Sequence, residues 1–175
     1  MNNMQIVESL REAGMVKRLH TVQTINGNTV SQHVYGGLII LMDLVKRSPN
    51  VVLTPDMMQE FIFHDVPELE TGDIPAPTKR TIGLELHEME TQIMAEHGIQ
   101  PKVLSEEEKK LIKCADYLDL GFFCLHEVRM GNRHPRIKMV FANIVKYLKP
   151  FEEQVAGIPE YLEYLQREFV HGIVR

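Results

Sequence analysis

The stretch 54–67, TPDMMQEFIFHDVP, constrains this chain most, because it sets an imidazole and a carboxylate on the apolar side of a helix. Thr54 suits an N-cap and Pro55 the first helical position. Met57 and Phe61 share one row and Met58 and Ile62 the next; His64 extends the first row and Asp65 the second. A carboxylate turned into a core is costly unless a cation meets it. Pro67 lacks an N–H and biases Val66 away from helical geometry, so the helix is expected over 55–65. Its free carbonyls and the negative end of its dipole add to the pull on a cation. A divalent metal ion is the natural partner for such a pair.

The rest reads as helices almost throughout, so the expected fold is all-α, one domain over 1–175 with about six or seven helices. Residues 3–13 suit a first helix, with Ile6 and Leu10 inward and Gly14 as its left-handed stop. Residues 15–22 read as a short helical or irregular piece, and Ile25-Asn26-Gly27-Asn28 as a turn. Thr29 or Ser31 caps a long helix ending near Ser48, with a core row of Val34, Leu38, Leu41 (or Met42) and Val45. Prolines 67, 75 and 77 and Gly72 exclude a regular helix over 66–80, and a long charged loop of this kind is more often functional than idle. A helix over 82–97 turns Leu86, Met89 and Ile93 inward and ends at Gly98. The capping box Ser105–Glu108 opens another, running to Met130 with Gly131 as its stop. The last two cover 135–148, through Ile137, Val140, Ile144 and Leu148, and 159–171, through Leu162, Leu165 and Phe169. No trustworthy strand pattern, repeat or dividing linker is evident.

A net charge of −5 argues against a general binder of nucleic-acid polymers but leaves small phosphorylated molecules open. The longest apolar run, Leu38–Met42, is too short for a bilayer, and the amino terminus lacks the charged and apolar regions of a signal peptide. No membrane partner and a cytoplasmic location are therefore expected. Cys114 and Cys124 fall within one helix, where they cannot bridge each other, and read as reduced core residues.

Other polar residues stand where apolar ones are expected. His33 shares a row with Gly37, Ile40 and Leu44, and Asp116 with Ile112, Leu120 and Phe123. Gly36-Gly37 costs its helix roughly 1 kcal/mol per glycine relative to alanine, which implies close approach of another helix or a ligand. Two histidines and two aspartates from three helices form a mixed N/O set suited to a divalent metal. Taken alone, His33 fits a hydrogen-bonded core histidine better than a ligand, and a one-position rotation would put Asp116 on the surface. Joint occurrence, not either residue, points to a site. His87, His97, His126, His134 and His171 read as solvated or capping, and His20 as a candidate lining for a base pocket. Tyr117, Phe122, Phe123 and the methionines follow helical spacing and read as core.

The order His33, His64-Asp65, Asp116 resembles the HD-domain superfamily of metal-dependent phosphohydrolases. The blocks VKRL (16–19), TVSQH (29–33), HDVPE (64–68), TGDIPAP (71–77) and KCAD (113–116) resemble the YfbR-type 5′-deoxynucleotidases, and the short chain and its loop resemble the bacteriophage dATP triphosphohydrolases. The likeness covers about residues 10–145.

This resemblance implies an HD-type helical bundle in which His33, His64, Asp65 and Asp116 hold one divalent transition metal ion: manganese, cobalt, zinc or iron, with magnesium accompanying a triphosphate substrate. It implies that Glu68 orients or deprotonates the attacking water, that Asp73 contacts the nucleoside sugar and that Arg18 binds phosphate. Lys79 and Lys113 are weaker candidates for further phosphate contacts. In the bacterial deoxynucleotidases a tryptophan crowding the sugar 2′ position follows the matching arginine; here that place is Leu19, which fills less space. The implied reaction is water attack at the α-phosphorus of a deoxynucleotide, releasing phosphate from a monophosphate or triphosphate from a dNTP. The implied setting is a bacterial cytosol, or a host cytosol if phage-encoded, and the implied assembly a homodimer or higher homo-oligomer. A nucleotide- or metal-sensing module without turnover, or a structural helical protein without a site, are the rival readings. Glu68 and Asp73 beside the four ligands favour the enzyme.

Overall fold

Side-chain caps written into the sequence start the main helices of the computed structural model, which describes residues 1–174, with the backbone alone at Ala76 and Pro77. Asn2 and Gln5 form a capping box at α1 (Asn3–Ala13), Thr29 and Gln32 at α2 (Val30–Arg47), and Ser105 and Glu108 at α7 (Glu106–Arg129). Thr54 Oγ1 accepts from Met57 N at 3.2 Å and opens α3 (Pro55–Phe63). Each such cap is worth about 1 kcal/mol. The other helices are α4 (Glu68–Thr71), α5 (Ala76–Ile82), α6 (Leu84–Glu96), α8 (Pro135–Leu148), a 3-10 turn (Lys149–Phe151) and α9 (Ile158–Val174). The fold is all-α, with one small exception. Lys17–Arg18 (β1) and Asn28–Thr29 (β2) pair antiparallel, Arg18 opposite Asn28.

Helix α7 is the axis, packed against α2, α8 and α9. Leu111, Leu118 and Leu125 on α7 are wholly buried with Leu41 and Leu44 on α2, Met57 and Phe61 on α3, and Leu148, Ile158 and Leu165 beyond. Phe141 and Phe169 stack at 3.8 Å between α8 and α9. Cys114 and Cys124 are buried and unpaired, and burial pushes both thiols up to about 12.

Several expectations need correction. Gly14 is right-handed, φ −62°, and a Cβ there would meet Ser31 Cβ at 3.3 Å; close packing, not chain reversal, suits it. Residues 15–22 supply a strand where a helical or irregular piece was expected. The 66–80 stretch is not free of helix: α4 fits between Pro67 and Pro75, and α5 starts at Ala76 with Pro77 in its first turn. On α3 only the Met57–Phe61 row is buried, while Met58 and Ile62 face out, because the helix ends at Phe63 before Asp65 can extend their row. On α2 Leu41 and Val45 of the expected core row are buried and Val34 and Leu38 half-buried, but the row holding His33 is buried as well, and Met42 is exposed. Met89 is exposed too, as are most methionines; Met57 is the one wholly buried, whereas Tyr117, Phe122 and Phe123 do pack on the core. His97 is buried rather than solvated, but it does cap: it is the C-cap of α6, its ring bonded to Ile93 O at 2.9 Å and to Ser9 Oγ at 2.8 Å. His134 does cap, accepting from Arg136 N.

The segment between β1 and β2 is tied to the far end of α7. Glu127, fully buried, accepts from Ile25 N at 2.7 Å, Asn26 N at 2.8 Å and Asn132 Nδ2 at 2.6 Å. Asn132 Nδ2 also donates to Gln23 O at 2.9 Å. Among the described residues no helix is long and apolar enough to cross a membrane.

Candidate metal centre

His33, in the first turns of α2, is wholly buried, because its row faces α3 and α7. Its Nδ1 lies 2.8 Å from Asp119 Oδ2, and its Nε2 faces Asp116 Oδ1 at 3.3 Å. His64 is the C-cap of α3, and its Nδ1 donates to Phe61 O at 2.7 Å. A carbonyl only accepts, so the proton sits on Nδ1 and the Nε2 lone pair points the other way. Donor atoms of His33, His64 and Asp116 lie within 4.8 Å of one another. Asp65 stands just outside this tightest group: its Oδ1 is 3.3 Å from His64 Nε2 and its Oδ2 3.9 Å from His33 Nε2. The Val66–Phe63 and Glu68–Asp65 backbone bonds, 3.0 Å each, form the turn that holds Asp65 there.

Electrostatics concentrate at this point. Burial would raise the Asp65 and Asp116 carboxyls, but the imidazoles and Arg18 outweigh it and hold both below the usual carboxylate range. Burial would lower His33, but Asp116 and Asp119 outweigh it and hold it above its ordinary value. Glu68 is 4% exposed, at the start of α4. Burial, and then the charge of Asp65, push its carboxyl up to about 8, against the pull of Arg18 and Lys79.

The sequence-predicted residues on the substrate side are brought to the same place less tightly. Arg18 Nε, from β1, lies 3.5 Å from Asp65 Oδ2. Lys79 Nζ is 3.9 Å from Glu68 Oε1 and 3.4 Å from Glu90 Oε1. Lys113 is half-exposed, 3.8 Å from Asp116 Oδ2 and over the Tyr117 ring at 4.7 Å. Asp73 Oδ2 accepts the backbone N–H of Leu19, which is left-handed at φ 58°, and His20 Nδ1 stands 4.0 Å away from the same oxygen. A branched residue in that region costs on the order of 1–2 kcal/mol, so the Asp73 bond is part of what holds Leu19 there.

The donor chemistry fits a divalent cation. His33 Nε2, His64 Nε2 and Asp65 Oδ2 are buried with no hydrogen-bond partner, and the two imidazole nitrogens each face the Asp65 carboxylate, His33 its Oδ2 and His64 its Oδ1. Lone pairs set head to head without a proton or metal between them repel, and buried orphans cost free energy. Two imidazoles with carboxylates suit manganese, cobalt, zinc or iron. Glu68 Oε2, Arg18 Nε and Nη1, and Asn28 Nδ2 are also unpartnered. Two residues here escaped sequence reasoning. Asp119 lies three past Asp116 on the same face of α7, but its pairing with His33 is remote in sequence and had no local signal. Asn28, opposite Arg18 on the ribbon, had no signal beyond a turn residue.

Fold and donor set together define the class: an all-α protein with a candidate metal site of histidines and aspartates. A family model described as HD domain matches residues 8–122, and the chain belongs to the HD-domain family. No curated protein matches it. Among solved structures it is similar to an HD-domain phosphohydrolase from Listeria innocua, at 19% identity and TM-score 0.75, over 99% of this chain and 93% of that one. It is also similar to the cyanophage S-2L HD phosphohydrolase DatZ, solved bound to dA and one catalytic zinc ion, at 18% identity and TM-score 0.64, over 95% of both chains. A conserved hypothetical protein from Pyrococcus furiosus aligns at 19% identity and TM-score 0.68, over 94% of this chain and 99% of that one.

Proposed function

We propose that this chain is a metal-dependent phosphohydrolase of 2′-deoxynucleotides, held by His33, His64, Asp65 and Asp116 around one divalent ion. The observation that carries the proposal is the cluster of buried polar atoms without hydrogen-bond partners: two imidazole nitrogens facing the Asp65 carboxylate, with Glu68 and Arg18 alongside. A divalent ion bound there supplies Lewis-acid polarisation of a phosphoryl oxygen and a lowered water pKa.

The chain's own residues do the rest. Arg18, whose Nε and Nη1 have no hydrogen-bond partner although Nε lies 3.5 Å from Asp65 Oδ2, offers a guanidinium fork to the phosphoryl oxygens and steadies their developing charge. Glu68 takes the proton of the attacking water through its unpartnered Oε2. The water oxygen bonds to the α-phosphorus, the bond from phosphorus to the 5′-oxygen breaks, and that oxygen leaves as the 5′-hydroxyl on receiving the proton that Glu68 took from the water. Asp73 ties down the Leu19 backbone, which would keep Leu19 at the sugar edge, and the other Asp73 oxygen would accept from a 3′-hydroxyl. Lys79, beside Glu68, and the half-exposed Lys113 offer cations to further phosphates, so triphosphates fit the reading as well as monophosphates. The likeness to DatZ, whose structure holds dA, supports a deoxynucleoside as the organic half. We take 1–175 as one domain acting on a diffusible cytosolic substrate, in a homodimer or larger assembly.

The test is turnover of a panel of dNMPs, dNTPs and ribonucleotides with added Mn²⁺, Co²⁺ or Zn²⁺ in H₂¹⁸O, with products resolved by chromatography and mass. The expected result is a deoxynucleoside without label and a phosphate or triphosphate carrying it. Label in the deoxynucleoside, or no turnover under any metal, overturns the proposal.

A further inference from the structure

We propose that Asp119 is the positioning residue of this centre: it holds the His33 ring so that Nε2 presents its lone pair to the cation, and Gly36 is glycine to let that carboxylate in. The inference rests on the metal-centred reading above and assigns a role to a residue that reading does not use.

The His33 ring is gripped on both sides by one helix. Asp116 and Asp119, three residues apart on α7, project onto the same face. Asp116 Oδ1 lies 3.3 Å from Nε2 and Asp119 Oδ2 lies 2.8 Å from Nδ1. A carboxylate only accepts, so at 2.8 Å the shared proton belongs to Nδ1, which leaves Nε2 as the free donor. That Nε2 is buried and unpartnered. Imidazoles that ligate metals are commonly held this way, the second ring nitrogen donating to a carboxylate or carbonyl. The two histidines here use one of each: Asp119 for His33 and the Phe61 carbonyl for His64.

The glycine pair of α2 is the structural counterpart. A Cβ on Gly36 would meet Asp119 Oδ1 at 2.1 Å, and one on Gly37 would meet Phe61 Cζ at 2.2 Å. Glycine disfavours a helix, yet two stand in tandem where the two residues that fix the histidines come closest to α2. Asp119 is short, so an atom pressing on Oδ1 forces its carboxylate to rotate away from the ring it holds.

The experiment uses the full-length protein, freed of metal by chelation, with Asp119→Ala, Asp119→Asn and Gly36→Ala. Three quantities are read: the dissociation constant for Co²⁺ or Zn²⁺ by competition with a chromophoric chelator, the His33 ring tautomer by long-range ¹H–¹⁵N spectra of the metal-free protein, and the metal-free melting temperature. In the wild type the tautomer is Nδ1–H. Asp119→Ala is expected to weaken metal binding about 10–100-fold and to release that tautomer. Asp119→Asn, whose amide oxygen still accepts from Nδ1, is expected to lose less and to keep the tautomer. Gly36→Ala is expected to weaken metal binding and disturb the tautomer while the melting temperature holds, a separation that a merely structural role does not produce. Wild-type affinity with an unchanged His33 tautomer in Asp119→Ala overturns the inference, as does a loss of affinity that only follows the loss of fold. A wild-type protein that takes up neither ion overturns this inference and the metal-centred reading together; uptake by the wild type with unaffected variants overturns this inference alone.

Discussion

His33 and Asp116 project from α2 and α7, helices of 18 and 24 residues, whereas Arg18 and Glu68 project from a two-residue strand and a four-residue helix. The first pair is positioned by the packing of long elements, with Leu41, Leu44, Leu111 and Leu118 wholly buried around them. The second is positioned by single bonds across the chain: Asp73 to the Leu19 amide, Glu127 to Ile25 and Asn26, and Lys79 to Glu68 and Glu90. A coordination sphere tolerates little displacement, so it belongs on the rigid side. Groups that meet substrates of different length gain from shorter, individually tied elements, which open at lower free energy than a packed core.

Substitutions on each side sharpen this contrast. The largest effect is expected from Glu68→Gln, which keeps shape but removes the proton acceptor: kcat falls about 10²–10⁴-fold, with the dissociation constant for Co²⁺ or Zn²⁺ unchanged. A parallel loss of metal would blur the division between the two sides. Asp73→Ala frees the Leu19 amide, and losing a bond to a charged acceptor is worth roughly 1.5–3 kcal/mol. It should appear as a raised KM together with a melting temperature lowered by about 2–4 °C per kcal/mol lost, read from steady-state kinetics and thermal unfolding. Gly37→Ala strikes the rigid side instead. Its Cβ would lie 2.2 Å from Phe61 Cζ, and overpacking should cost about 1–3 kcal/mol in urea unfolding.

The smallest effect is expected at Asp43, on α2 but outside the site. Its carboxylate accepts from Tyr161 Oη at 2.8 Å and Arg47 Nε at 2.7 Å. Burial opposes the ionised form, but these two partners outweigh it and hold Asp43 below the usual carboxylate range. The same bond, after burial, pushes Tyr161 up to about 12. A carboxyl whose folded value is depressed stabilises the fold above its unfolded value, about pH 3.9, and loses that contribution as pH falls through the lower folded value. The side chain is 35% exposed, so screening limits the effect to less than about 1 kcal/mol. Asp43→Asn should therefore lose a little stability at pH 7, and the difference from wild type should close below pH 4 in chemical unfolding.

What was legible in the sequence follows the same division. Helix starts at Thr29, Thr54 and Ser105 were written as caps, and His33, His64 and Asp116 as polar residues on apolar rows, because a long helix repeats its pattern enough times to be read. The short elements give no such repetition. Lys17–Arg18 pairs with Asn28–Thr29 over two residues, too few to alternate, and α4 spans one turn between prolines. Asp65 was placed on a helical row that ends before it, and it reaches the site through a turn instead. Asp119 was missed because its partner is a ring nitrogen 86 positions away, a pairing that spacing alone does not reveal.

The Glu127 clasp carries a consequence for the order in which the protein assembles. It joins amides 101 and 102 positions earlier in the chain, so the connection between β1 and β2 is not fully tied down until nearly the whole of α7 exists. Contacts this distant in sequence form late, after closure of a long loop. Pulse-labelled hydrogen exchange during refolding should find the Leu118 amide protected before those of Ile25 and Asn26. The helical scaffold would then form first, and the connection that follows Arg18 would be tied down last.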